Sequence, residues 1–298
     1  MSDFRTVLQA AGLRPREVVA DGRWRRCATD DKPSKRNGAY RLDLGGLRGW
    51  WRNWATDDGL NYWADSTGAS FKPVDEAKLQ ARRDAERKQR LQAMRGAREF
   101  WKRCRPCTRL HPYLADKGLS PVGTQGLRDG EGFLVVPVMW HGSVISVQTI
   151  HPSGQKRFWK GAPVKGGCFV LERERAVVTV IAEGLATGLA VFQAVKMARV
   201  VVAFDAGNLL PVVQALKPTG SVVLAADNDH ATFAKRGFNP GVDKARNAAE
   251  LIGAGVAFPQ GIEGSDYADM LKELGPQGAR RIEREILAGA RYVVGAVP

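Results

Sequence analysis

The chain has 298 residues, of which 45 are lysine or arginine and 31 are aspartate or glutamate, so its formal net charge is +14. This length exceeds one typical domain, and the charge indicates a polyanionic partner, because basic side chains displace the counterions condensed on nucleic acid. No apolar run is long enough to span a bilayer and the first residues lack the pattern of a secretory signal, so we expect a cytoplasmic protein without a membrane partner.

Residues 1–74 are predicted to form a small β-rich module after a short helical start, because turn residues alternate there with short aromatic and aliphatic stretches. Tryptophans and arginines are interleaved in this module, a composition that suits stacking on unpaired bases beside phosphate contacts. The alternative is that the aromatic side chains form the core of the small domain, and we expect some of each. The candidate contacts with single-stranded nucleic acid are Arg23, Trp24, Trp50, Trp51, Arg52 and Trp54.

Residues 75–105 are predicted to be a basic helix that links two folded parts. Between Lys78 and Arg105 there are eleven lysines or arginines and three acids. Leu91, Met94, Ala97 and Trp101 recur at helical spacing and predict one narrow apolar seam. This charge suits phosphate contacts, although a solvated linker would have the same pattern.

Residues 106–175 are predicted to begin the second folded part, with a β-hairpin in residues 133–150 that turns at His141 and Gly142. From residue 176 to 298 the pattern changes to apolar strands alternating with helical segments. Near-continuous valine, isoleucine and alanine runs of this kind are typical of a parallel sheet buried on both faces. The sequence therefore predicts an α/β fold.

Acidic residues follow three of these predicted strands: Glu183, Asp205, and the pair Asp227 and Asp229. Ligands of open parallel sheets collect beyond the carboxyl ends of the strands. In an extended D-x-D segment both carboxylates point to one side, about 7 Å apart at the backbone, and such hard oxygen ligands suit Mg²⁺ or Mn²⁺. Taken singly, each acid would also be explained as a helix cap.

Several short motifs of the sequence together resemble the Toprim domain, and more closely the short primase-like proteins of phages and plasmids. They are Glu183-Gly184 in IAEGLATGLA, Asp227-Asn228-Asp229 in AADNDH, HPYLADKG at 111–118, GQKRF at 154–158, AFDAGNL at 203–209 and NPGVDKA at 239–245, with a weaker likeness at 37–54. The resemblance covers residues 104–272. It departs from the family pattern at SDYADML, where relatives often carry a D-F-N-D word.

The resemblance implies a Toprim, Rossmann-like parallel sheet with flanking helices and a two-metal nucleotidyl transfer that uses Mg²⁺ or Mn²⁺. Glu183, Asp227 and Asp229 would be the catalytic and metal-binding acids, and Asp266 and Asp269 could preserve the acidic ends of the departing word as further metal ligands. Contacts with incoming nucleotide or template would come from Lys156, Arg157, Lys160, Lys165, Asp205, Asn208 and Lys244. For the lysines and the arginine, the alternative is that they lie on an ordinary solvated edge of a hairpin and contact neither nucleotide nor template.

Cys104, Cys107 and His111 have a spacing that invites a zinc interpretation. A structural zinc site needs four ligands, and the only obvious fourth, Cys27, lies far upstream. We therefore expect buried thiols rather than a zinc site.

The leading functional hypothesis is a DNA primase of a mobile element, which binds a single-stranded DNA template and nucleoside triphosphates. A metal-dependent nuclease is the alternative among enzymes, and a DNA-binding or helicase-loading accessory that has lost turnover is the alternative of another class. A topoisomerase would need a further domain with a tyrosine nucleophile. The sequence has no P-loop motif, so we expect any replicative helicase to be a separate protein.

Overall fold

The computed structural model describes residues 3–56, 59–65 and 76–295. They form two compact units, Met1–Ala85 and Glu86–Pro298. The division lies inside a long helix rather than at either end of the predicted basic linker. The predicted boundary between the N-terminal module and the linker, at residues 74 and 75, lies outside the described residues.

The N-terminal unit is a helix on a five-stranded antiparallel sheet whose strand order follows the sequence. Its elements are α1 (Phe4–Ala10), β1 (Leu13–Arg14), β2 (Arg25–Thr29), β3 (Gly38–Leu42), β4 (Arg48–Asn53) and β5 (Asn61–Ala64). The ring of Phe4, in the first turn of α1, packs against the rings of Tyr40, Trp51 and Trp63. Gly49 makes this possible, because a Cβ there would lie 2.2 Å from the Phe4 ring. One face of the sheet is therefore the core of the module.

The long helix α2 (Glu76–Arg103) contributes its last turns to the core of the second unit. Ala97 is fully buried, and the ring of Phe100 lies 5.2 Å from that of Trp159. The predicted apolar seam is present from Met94 onward, whereas Leu91 is exposed. The end of the basic helix is thus anchored by packing and is not a solvated linker.

A second antiparallel sheet, in the order β10-β9-β8-β7-β6, follows α2. Its elements, with one short helix, are β6 (Arg105–Pro106), α3 (Pro112–Asp116), β7 (Arg128–Gly130), β8 (Phe133–Trp140), β9 (Ser143–Ile150) and β10 (Lys156–Phe158). The predicted hairpin is present, and its turn residues His141 and Gly142 have φ angles of 44° and 74°. Positive φ at both positions matches the twist of a two-residue hairpin.

The third sheet has the strand order β11-β13-β12-β14-β15, with β16 also paired to β14. Its strands are β11 (Phe169–Leu171), β12 (Val178–Ala182), β13 (Ala198–Val202), β14 (Gly220–Ala225), β15 (Gly255–Ala257) and β16 (Arg291–Val293). The strands β12 to β15 are parallel, as predicted, whereas β11 and β16 run antiparallel to their neighbours. β15 pairs with the second half of β14 and β16 with its first half.

Helices flank this sheet between the strands. They are α4 (Leu185–Ala194), a 3₁₀ turn (Ala206–Asn208), α5 (Leu209–Leu216), α6 (His230–Arg236), α7 (Pro240–Glu250) and α8 (Tyr267–Gly289). α8 is kinked at Gly275, whose φ is 54°, next to Pro276. One apolar core contains side chains of both sheets, for example Leu134 and Val180, so residues 106–175 and 176–298 fold around shared contacts. Within the described ranges, no helix has both the length and the apolar character that a bilayer span requires.

A half-buried ion cluster ties α3 to the start of α8. Lys117, just after α3, places its Nζ 3.2 Å from Asp266 Oδ2 and 2.8 Å from Asp269 Oδ1. Asp266 caps α8, and Asp269 completes a capping box. Burial alone would raise the pKa of Asp269, but the hydrogen bonds from Lys117 and the Ser265 backbone outweigh it, so the pKa lies below its usual value. The carboxylate form of Asp269 therefore stabilises the folded state.

Replacing Lys117 with methionine should lower the free energy of unfolding by about 1–3 kcal/mol, because two half-buried carboxylates lose their cation. Lys272→Met is the matched control, since Lys272 faces Asp116 at 3.8 Å with both side chains exposed, and such pairs contribute about 0–1 kcal/mol. Urea denaturation measures both. Asp269 contributes above pH 3.8, the unfolded value, and its contribution is lost as the pH falls through the lower folded value. Equal losses for both variants at pH 7 would contradict the assignment.

Candidate active site

The strand register brings Glu183 and Asp227 together at one edge of the third sheet. The last residues of β12 and β14, Ala182 and Ala225, are paired directly. The backbone N–H of Glu183 donates to the carbonyl of Ala225 at 3.3 Å. Because the two strands are parallel neighbours, both acids follow the same carboxyl-terminal edge. This is the arrangement that a shared cation requires.

Glu183 lies in an environment that disfavours its charged form. Burial is the largest effect and raises its pKa, the charge of Asp205 adds to this, and the backbone N–H groups of Asp227 and Ala206 and the charge of Lys244 offset part of it. Among the described residues, its Oε2 is a buried oxygen without a hydrogen-bond partner. A buried, unpartnered carboxylate oxygen is costly, so this atom is suited to a ligand or a proton.

The pKa of Asp227 is raised as well. Burial is again the first cause, the charges of Glu183 and Asp266 add to it, and together they raise the pKa of Asp227 to about 7. Opposing effects come from the charge of Lys156 and from the hydroxyl of Thr187, which donates to Asp227 Oδ1 at 2.8 Å. Two like-charged carboxylates in one half-buried site repel each other, which favours a proton or a cation there.

The start of helix α7 closes one side of the acid pair. A Cβ on Gly241 would lie 2.5 Å from the Asp227 carbonyl oxygen and 3.2 Å from Glu183 Oε2. Only glycine allows this close approach of the helix to the acids. The amide of Asn228 holds the same region together, since it donates to the Pro259 carbonyl and accepts from the amide of Asn239, the N-cap of α7. Asn228 therefore has a positioning role that the sequence did not indicate.

Of the predicted basic contacts, Lys156 and Lys244 are the two whose charge acts on the acid pair. Lys156 Nζ lies 4.0 Å from where a Cβ of Gly184 would be. Side chains alternate along β10, so Phe158 shares its face with Lys156, and its ring contacts that of Phe204. Arg157 lies on the opposite face of the strand. Lys160 and Lys165 are exposed in the loop that follows.

Asp229 occupies a different position from the one predicted. It is exposed, and its carboxylate caps α6 by accepting hydrogen bonds from the backbone N–H and the hydroxyl of Thr232. Across the described part of the chain, no group of three or more histidine, cysteine, aspartate or glutamate side chains is arranged to hold a metal ion. The strand register thus brings Glu183 and Asp227 to one edge of the sheet, whereas Asp229 caps α6. The metal-binding role of Asp229 stays a prediction.

The remaining predicted ligands are engaged in the fold. Asp266 and Asp269 hold Lys117 and cap α8, although the charge of Asp266 reaches Asp227. Asp205 caps the 3₁₀ turn by accepting from the Asn208 N–H. The Asn208 amide is buried and bonds Gly166, Gly167 and Ala203, so it clasps the basic loop rather than presenting itself to a nucleotide.

A divalent cation fits the two acids by its chemistry. Mg²⁺ commonly keeps several waters and binds through one or two carboxylates together with substrate phosphates. Glu183 offers an unpartnered buried oxygen, and both acids have raised pKa values that a cation would lower. The two acids are thus the residues that would hold Mg²⁺ or Mn²⁺.

The cysteine and histidine cluster has other contacts. The Cys107 thiol donates to the Arg109 carbonyl, and His111 caps α3 through Nδ1 while Nε2 lies 3.0 Å from the Gly132 carbonyl. Burial raises the pKa of the Cys104 and Cys107 thiols. Cys107 and His111 are thus engaged with backbone groups in this structure.

The N-terminal candidates divide between two environments. Trp51 packs against Phe4 in the core of the module. Trp24, Trp54 and Arg23 are exposed, and Trp50 and Arg52 are half-buried.

Comparison with known proteins supports the assignment of the domain. Residues 178–277 match the family model for the Toprim domain. The chain is 32% identical over 283 residues to DNA primase TraC of Escherichia coli. The aligned region is 88% of this chain and 26% of that protein. A second DNA primase TraC of the same organism is 36% identical over 157 residues, which is 50% of this chain and 11% of that protein. The chain thus spans about a quarter or less of the length of these relatives.

Among solved structures, the primase fragment of the bacteriophage T7 primase-helicase protein is 16% identical, with a TM-score of 0.42 over 59% of this chain and 72% of that one. The match to the family model covers β12, β14 and the two acids that follow them. This chain is therefore a Toprim-domain protein and a sequence relative of the DNA primase TraC.

Proposed function

We propose that this protein is a DNA primase, which makes short primers on single-stranded DNA by metal-dependent nucleotidyl transfer. The observation that carries the proposal is the pair of half-buried acids, Glu183 and Asp227, which follow the carboxyl ends of adjacent strands of a Toprim domain and interact through their charges. The similarity to a protein named DNA primase, over 88% of the chain, favours nucleotidyl transfer over other phosphodiester chemistry.

Phosphoryl transfer depends mainly on positioning and on neutralising charge. A divalent cation held by Glu183 and Asp227 would offset the charge that develops on the reacting phosphate. Thr187 orients Asp227 through the hydrogen bond from its hydroxyl. Lys156 and Lys244 add positive charge beside the acids and would attract the triphosphate.

Glu183 is the candidate proton acceptor. Its Oε2 has no partner among the described residues, and its pKa is raised. Where Asp227 alone holds the cation, Glu183 keeps its raised pKa. It is then a better base than an ordinary carboxylate and can accept the proton of the attacking 3′ hydroxyl. The same group would serve a nuclease by accepting a proton from water. An accessory protein that only binds DNA would not need this paired site.

Asp227→Asn should abolish primer synthesis while leaving DNA affinity within a few fold, because the substitution removes a carboxylate from the site but no cation from the surface. The measurement incubates the full chain with single-stranded template, Mg²⁺ or Mn²⁺ and labelled ribonucleotides, and separates the products by size. Asp116→Asn is the matched control, since this exposed carboxylate at the end of α3 lies outside the acid pair and should leave synthesis unchanged.

The outcome separates the candidate functions. New short products that disappear in Asp227→Asn support a primase. A shortened template would instead identify a nuclease, and binding without either product would identify an accessory. Wild-type synthesis by Asp227→Asn would remove Asp227 from the active site.

Thr187→Val should reduce kcat about tenfold with little change in KM, because a hydrogen bond to a charged group contributes about 1.5 kcal/mol and here orients a reacting-site carboxylate. Thr187→Ser keeps the hydroxyl and should recover most of the rate. A steady-state titration of nucleotide with each variant gives both constants. If Thr187→Ser were slow and Thr187→Val were not, a packing role for the Thr187 methyl group would replace the orienting role, because valine keeps that methyl group and serine lacks it.

A further inference from the structure

The N-terminal sheet has a second face that the core of the module does not use. Phe4, Tyr40, Trp51 and Trp63 lie on the inner face. Side chains alternate along a strand, so the residues between them point outward. The outward positions of β2 to β5 are Arg26, Ala28, Ala39, Arg41, Arg48, Trp50, Arg52, Tyr62 and Ala64. These positions, with the adjoining Trp54, are here called the outer face.

The middle of the outer face is a row of three paired residues on adjacent strands. Arg41 is paired with Trp50, and Trp50 with Tyr62. The Trp50 and Tyr62 ring centroids are 5.5 Å apart, and the Arg41 guanidinium lies 5.2 Å from the centre of the Trp50 ring. Tyr62 is 55% exposed. This row presents aromatic surface and positive charge side by side.

A second row lies next to the first. Arg26, Ala39 and Arg52 are paired across β2, β3 and β4. The ring of Trp54 lies 4.1 Å from the Arg26 guanidinium and 5.8 Å from that of Arg52. Trp54 is 41% exposed although it is a large aromatic residue. The row repeats the combination of an aromatic ring with arginine.

Charge and chemistry together identify the occupant of this face. None of its residues is acidic, and its aromatic rings lie outside the apolar core cluster of the module. Aromatic rings stack on unpaired bases, and arginine contacts phosphates and can stack as well. Tryptophan, tyrosine and arginine also occur at protein–protein interfaces, but arginines on a face whose named residues include no acid favour a polyanion.

We infer that the outer face of the N-terminal sheet is a stacking platform for the unpaired bases of single-stranded DNA. Trp50, Tyr62 and Trp54 contact bases, and Arg26, Arg41 and Arg52 contact the backbone. The inference rests on the proposed function for the identity of the strand, a primase template. The platform itself lies within the N-terminal unit, so its binding can be measured separately from catalysis.

The test measures the binding of a fluorescent oligothymidylate to the full chain by anisotropy, at several salt concentrations and without nucleotide or divalent metal. Trp50→Ala/Tyr62→Ala should weaken binding about 5- to 150-fold, which corresponds to one stacked base. The dependence on salt should stay the same, because no charge is removed. Leu44→Ala/Leu60→Ala is the matched control, since both leucines are exposed apolar residues of the same unit, and should bind like wild type.

Arg26→Ala/Arg41→Ala should reduce the slope of log affinity against log salt by about 0.7 for each lost phosphate contact. Arg5→Ala removes an exposed cation from α1, which packs on the inner face, and should leave the slope unchanged.

Trp50→Phe keeps an aromatic ring and should recover most of the affinity that Trp50→Ala loses. Thermal unfolding of each variant identifies any that fails to fold, and the arginine variants then decide the question.

Wild-type affinity and salt slope in the aromatic and arginine variants would overturn the platform and leave the primase proposal standing. The opposite outcome also separates the two proposals. If the wild type makes no primers, and Trp50→Ala/Tyr62→Ala binds DNA more weakly than the wild type, the platform holds and the primase proposal fails.

Discussion

Two half-buried acids of like charge, placed at the same edge of a sheet by strand register, are the constraint on which the second unit depends. The fold does not relieve their repulsion by separating them, because β12 and β14 are direct neighbours and both acids follow the same edge. It surrounds them instead with Thr187, Lys156, Lys244 and backbone N–H groups that offset part of the cost. The remaining cost is what gives the site its affinity for a cation or a proton.

The elements around the acid pair can be understood from that constraint. Gly184 leaves its part of the edge open, and Gly241 lets α7 approach both acids closely. Asn228 ties the loop after β14 to α7 and to the segment at Pro259. Asn208 clasps the basic loop from inside. A site that stores electrostatic repulsion needs rigid surroundings, since a flexible loop would let the acids move apart.

Positive charge is arranged differently in the two units. In the second unit, Lys156 and Lys244 lie close to the two acids and lower their pKa values. In the N-terminal unit, arginines pair with aromatic rings on a sheet face without acids. The net charge of +14 thus includes lysines beside the acid pair, arginines on the outer face and the eleven lysines or arginines between Lys78 and Arg105.

The sequence by itself determined the α/β class, the parallel strands β12 to β15, the hairpin at His141 and the two acids at the strand ends. Each depends on local pattern: apolar runs of strand length, turn residues with positive φ, and polar residues where a strand stops. The short antiparallel strands β11 and β16 were not predicted, because three residues carry too little periodicity. The resemblance added the Toprim domain, which the family match bears out.

Only the tertiary structure decided how side chains are divided among competing partners. Asp229 caps α6 instead of joining Glu183 and Asp227, and Asn208 and Asp269 serve the fold. Thr187 and Lys117 became visible only through contacts made across 40 and about 150 residues of sequence. Trp50 and Trp51 are neighbours in the chain, yet alternation sends one outward and one into the core. A polar or aromatic residue can bind a ligand, cap a helix or pack in a core. The sequence alone does not decide among these roles, because the outcome depends on which residues distant in sequence lie beside the side chain in the fold.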